Sequence, residues 1–186
     1  MGLRRGFKSE ANWYARIFRE EIGLEPFEPL CPWQLADHLG LPVVSLEEFA
    51  IKHPAEVAYL RSSRGQKDFS AVTVCSNRHR LVVFNDGHSP KRQRADIAHE
   101  LSHGILMHPP SPPFGCDGTR GYDVTQEEEA SWLGPALLIS EEAALWIARN
   151  DYSVPAASEL FGVSEALVRM RLNVTGARRR LARSYA

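Results

Sequence analysis

Residues 90 to 108 constrain this chain more than any other stretch. Ala95, Ala98, Leu101 and Ile105 recur at helical spacing, and Ile97 and Leu106 widen the apolar stripe. Ser89 followed by Pro90 marks a helix start. Pro109 and Pro110 mark its end, because proline disfavours helix in the residue before it. Into this apolar helix the sequence sets His99, Glu100 and His103. Buried histidines and carboxylates without partners are costly, so the rest of the fold has to supply partners for them.

On a helix, positions i and i+4 share a face, so His99 and His103 can present imidazole nitrogens to one cation. Glu100 lies one residue on, about 100 degrees around the axis, and reaches a metal-bound water without being a ligand. This is the His-Glu-x-x-His arrangement of zinc hydrolases, in which the carboxylate acts as general base. A catalytic zinc site takes three protein ligands and keeps a fourth position open. Glu127, Glu128 and Glu129 are candidates for the third ligand. The helical face of Glu127 carries the small residues Ala130, Ser131 and Gly134 and allows close approach to another helix. That of Glu129 carries Trp132, Leu133 and Ala136, which look like packing bulk. Glu127 is therefore preferred, with Glu128 and Glu129 in reserve. His108 is a rival ligand ranked below them. His38, His53, His79 and His88 lack metal spacing, and His88 reads as an exposed loop residue beside the cleft.

Around this helix the period changes. Residues 8 to 23 predict a helix with Ser9 as cap, and residues 33 to 39 a shorter one ending at Gly40. Val43 to Leu46, Val57 to Leu60, Phe69 to Cys75 and Arg80 to Phe84 predict short strands of a small, mostly antiparallel sheet. Residues 109 to 123 read as a loop with four prolines and three glycines. Thr125 with Glu128 suggests a capping box opening a helix to about Ile139, and Ser140 restarts a helix to Asn150. Two short helices broken at Gly162 occupy 155 to 173, and an Arg-rich tail follows from 176. The fold class is thus α+β: a small sheet packed on the motif helix, zincin-like, with a helical C-terminal half. We expect one domain over 1–150 and a C-terminal helical segment over 151–186 packed on it.

A net charge of -1 argues against bulk attraction to nucleic acid or membrane. No run approaches the roughly eighteen apolar residues of a membrane span, and the basic N-terminus lacks the apolar stretch of a secretory signal, so a cytoplasmic location is expected. Cys31, Cys75 and Cys116 form no CxxC pair and read as small hydrophobes, with Cys116 the one to watch.

Phe84-Asn85-Asp86, Arg92-Gln93-Arg94 and Ala98-His99-Glu100-Leu101-Ser102-His103 together resemble the ImmA/IrrE family of metallopeptidases. Its second motif, Glu-x-x-Ala-Asn with a following apolar run, is similar to Glu127 to Ser131 and Leu133 to Ser140 here. The resemblance implies zinc, a third ligand at Glu127, and site-specific cleavage of a transcriptional repressor or regulator, often of helix-turn-helix type. Ser102, Ser131 and Ser140 replace the family's usual Gly, Asn and Pro, and Pro135 sits inside the ligand helix. Tyr122 is a weak candidate for oxyanion stabilisation.

Two other functions compete. Residues 154 to 173 have the outline of a DNA-binding helix-turn-helix, and Arg169, Arg171, Arg178, Arg179, Arg180 and Arg183 could contact phosphates. The same segment also reads as a helical pair packed on the core, with Leu160, Phe161, Val163, Leu167, Val168 and Leu172 as its apolar face. A zinc-binding sensor without catalysis is the remaining alternative.

Overall fold

The N-terminal apolar stripe forms α1 (Phe7–Glu21), followed by α2 (Pro32–His38). A computed structural model describes residues 2–76, 79–109 and 123–184. The middle of the chain builds β1 (Val43–Ser45), a 3-10 turn (Leu46–Phe49), α3 (Pro54–Arg61), α4 (Gly65–Asp68), β2 (Ala71–Ser76) and β3 (His79–Phe84). The motif helix is α5 (Pro90–Ile105). After it come α6 (Val124–Leu138), α7 (Glu141–Arg149), α8 (Val154–Phe161), α9 (Glu165–Val174) and α10 (Ala177–Ser184). The architecture is α+β, as the period changes predict.

β3 is central in the order β1-β3-β2. It runs antiparallel to β2, from Ala71 opposite Phe84 to Ser76 opposite His79. Its pairing with β1 is parallel and shorter, from Val43 opposite Val82 to Ser45 opposite Phe84. The sheet is therefore mixed, with the antiparallel ladder the longer.

Four of the expected features differ. Gly6, not Ser9, is the cap position of α1. Val57 to Leu60 lies in α3, not in a strand. Four consecutive apolar residues carry no period that separates strand from helix, and Pro54 at the first helical turn decides for helix. Asp123, not Thr125, caps α6, its carboxylate accepting from the Thr125 and Gln126 amides. The Arg-rich tail is the helix α10, whose Ala177 is fully buried.

α5 is shared by two cores. Ile97 and Leu101 pack with Ala71 and Phe84 of the sheet, Phe7 of α1, Leu35 of α2, and Leu133 and Leu137 of α6. Ala98 joins Leu138, Ile147, Phe161, Val168 and Leu172 of the C-terminal helices. Val83, on the other face of the sheet from Phe84, packs with Leu46 and Val57. Fully burying one such side chain contributes about 1.5–3 kcal/mol, so α5 is the element the fold can least afford to move.

The end of α6 is fixed by charge. Pro135 removes a helical donor. Three carbonyls beyond it accept from two buried arginines: Leu137 and Leu138 from Arg19 at 2.8 and 3.3 Å, and Ile139 from Arg171 at 2.8 Å. Burial pulls both guanidinium groups down to about 10. Ser140, in the place of the family's proline, caps α7 through the Ala143 amide and donates to the Pro26 carbonyl.

Candidate metal centre

Gly134 lets α6 lie against α5. A Cβ there would come within 3.1 Å of the His99 nitrogen and 3.2 Å of the Ala98 carbonyl carbon. Two turns earlier on α6, Glu127 is thereby carried over the His99–His103 face. His99 Nε2 lies 3.2 Å from Glu127 Oε2 and 3.2 Å from His103 Nε2. His103 Nε2 lies 3.7 Å from the other Glu127 oxygen, Oε1. The three side chains form a His-His-Glu cluster with one donor atom from each within 4.8 Å of the others. All three are half-buried.

The cluster fits a small divalent cation. Zinc bonds of about 2.0–2.1 Å to nitrogen and oxygen imply a tetrahedral edge of roughly 3.3 Å. The two imidazole nitrogens, and His99 with Glu127 Oε2, stand near that edge at 3.2 Å, while His103 lies 3.7 Å from the carboxylate's other oxygen. The adjacent His103 and His99 rings hold the Glu127 carboxyl well below the usual carboxylate range, against the opposing effect of burial. The donor set thus carries a negative charge beside two imidazoles, a combination that suits zinc among the divalent transition metals.

Glu100 stands beside this triangle rather than in it. It is 7% exposed, and its Oε2 accepts from the Thr73 hydroxyl of β2 at 2.7 Å. Glu100, His99 and Glu127 share a cleft of about 270 Å³ with Lys67, Phe69 and Asp96. Asp96, one turn before Glu100, is raised above its ordinary value, chiefly by burial. Sequence reading misses both Thr73 and Asp96. Only the pairing of β2 beside α5 brings Thr73 to Glu100, whereas the i, i+4 relation of Asp96 to Glu100 was available as a signal.

The rival ligands go elsewhere. His108 lies behind His103, with the two Nδ1 atoms 3.0 Å apart. Its Nε2 is 3.2 Å from Glu129 Oε2. Glu129 is not packing bulk alone: its Oε1 accepts from Arg4 Nε at 2.6 Å. Burial holds the His108 ring below the ordinary histidine value, partly offset by the Glu129 bond. His88 is buried at 6% exposure, not a surface loop residue, and its Nε2 lies 3.3 Å from the Phe69 carbonyl. Ser102 satisfies its hydroxyl within α5 by donating to the Ala98 carbonyl, and Ser131 is exposed. Tyr122 and Cys116 lie outside the described residues.

Among the described residues no helix is long and apolar enough to cross a membrane. The profile of the IrrE N-terminal-like domain, Peptidase_M78, matches residues 50–173, which include α5, α6 and every residue of the cluster. A search of curated proteins returns no match.

Proposed function

The chain belongs to the Peptidase_M78 family, and from that premise we propose that it is a zinc-dependent endopeptidase that cuts a transcriptional repressor or similar regulator in the cytoplasm. One observation carries the reading: three donors from two separate helices converge within 4.8 Å of one another, with a buried carboxylate beside them. His99, His103 and Glu127 would hold the ion. When bound, zinc supplies a Lewis acid that brings the pKa of a coordinated water toward ~7.

The remaining chemistry belongs to the chain's own groups. Glu100 accepts the water proton on a carboxylate oxygen as the peptide carbonyl is attacked, then passes it to the leaving amine. Thr73 holds the Glu100 carboxylate by donating to Oε2, which leaves Oε1 for the proton. The cleft beside Phe69 gives a peptide access to this carboxylate. A repressor-type substrate is favoured by the family resemblance rather than by any contact in the cleft.

Glu100→Gln keeps the size and the Thr73 contact but removes the base. Zinc content should stay at one ion per chain while cleavage of the neighbouring-encoded regulator falls by roughly 10²–10⁴-fold. Metal analysis and a cleavage time course check this, and undiminished cleavage would refute the role of Glu100. Folded, zinc-loaded wild type that cuts no regulator would favour the non-catalytic sensor.

A further inference from the structure

His103 is gripped at both ring nitrogens by one turn of α6. Glu127 faces its Nε2, and Glu129 reaches its Nδ1 side through His108. We propose that His108 and Glu129 are positioning residues that fix the orientation and tautomer of His103 for metal binding, with Arg4 anchoring the far end. The inference rests on the reading of His99, His103 and Glu127 as metal ligands.

With His103 bound to the ion through Nε2 and one proton on each ring, the protons run in one direction. A ligand nitrogen offers a lone pair, so His103 binding through Nε2 carries its proton on Nδ1. That atom is 3.0 Å from His108 Nδ1, which must then accept. His108 in turn carries its proton on Nε2 and donates to Glu129 Oε2 at 3.2 Å. Glu129 Oε1 is taken by Arg4 Nε at 2.6 Å, and Arg4 also donates to Glu10 at 2.8 Å. Reversing the chain would set the His108 lone pair against a carboxylate. The His108 and Glu129 side chains are 8% and 9% exposed, so little water competes for these bonds.

The turn that ends α5 sets this contact. Met107 adopts φ 53°, in the left-handed region, although it is not glycine. The turn lets the His108 amide donate to the His103 carbonyl at 3.0 Å and brings the two rings together, with centroids 5.0 Å apart. Arg80 of β3 holds the His108 carbonyl at 3.3 Å. Such a partner on the second nitrogen of a metal-bound imidazole raises its basicity and limits its rotation.

The test measures zinc affinity by competition with a chromophoric chelator, and the absorption of the cobalt-substituted protein. His108→Phe keeps a ring but offers no acceptor. It should weaken zinc binding roughly 10- to 100-fold and alter the cobalt bands. His108→Gln, which supplies both an acceptor and a donor, should recover most of the loss. Glu129→Gln is near-isosteric and guards against misfolding of the first variant; it should show a smaller loss in the same direction. Wild-type affinity and unchanged cobalt bands in folded His108→Phe and Glu129→Gln would overturn the relay while leaving the peptidase reading intact. Relay-dependent metal binding without any cleavage would do the reverse.

Discussion

Two regions of the molecule gather charged side chains, and they do so in opposite ways. Around α5 and α6, Arg4, Glu127, Glu129 and three histidines come from separate parts of the chain and meet in linked, partly buried contacts, with Glu100 held beside them by Thr73. In α9 and α10 the arginines are close in sequence but diverge in space. Arg169 pairs with Glu165 on the same exposed helix face, and Arg180 reaches Glu141. Arg171 turns inward at 1% exposure to hold the Ile139 carbonyl. Density of charge along a sequence therefore says little about a site, whereas convergence from distant elements under burial says a great deal. The helix pair α8–α9 also buries Phe161, Val163, Val168 and Leu172 against the core, which uses the apolar face for packing.

The sharpest way to break this contrast is to remove one converging group. Glu127→Ala deletes a donor outright, so zinc affinity should fall by more than the roughly 10- to 100-fold expected for a supporting residue. Equilibrium dialysis against zinc checks it, and full metal content would transfer the ligand to another carboxylate. Next in size is Gly134→Val, which drives branched carbons into the α5 backbone at a contact where even a Cβ stands 3.1 Å from His99 N. We expect a loss of about 1–3 kcal/mol in urea unfolding and a weaker metal site, because separating the helices moves Glu127 away from the histidines.

Legibility in the sequence follows the same division. His99, Glu100 and His103 are readable because they share one helix, where spacing converts directly into geometry. Glu127 is readable through the family resemblance and the small residues on its face, among which Gly134 marks the approach of α6 to α5. The Arg4–Glu129–His108 chain includes a bond between residues 125 positions apart and leaves no local pattern. Thr73 escapes for a similar reason, since its contact depends on which strand lies beside α5. Parallel pairing of β1 with β3 is also nonlocal, whereas the helix starts at Pro90, through the proline's fixed φ, and after Ser140, through its cap bond, follow from local chemistry. Where an apolar run is short, as in Val57 to Leu60, periodicity has too few residues to choose, and the proline before it is the better guide.

The smallest effect expected is at the exposed arginines. Arg178, Arg179 and Arg183 lie on the solvent side of α10 and make no ion pair among the described residues. Substituting all three by alanine removes three positive charges while leaving the buried Ala177 and the α7 contact in place. Stability should change by no more than about 0.5 kcal/mol per substitution, and zinc content and cleavage should match wild type. The same variant decides the nucleic-acid question. A wild-type affinity for duplex DNA that falls steeply with salt, and is lost with these charges, would make α10 a phosphate-contacting surface. Salt-independent, unchanged behaviour would leave the arginines as a solvated helix face, because phosphate contacts release counterions and cannot be silent to ionic strength.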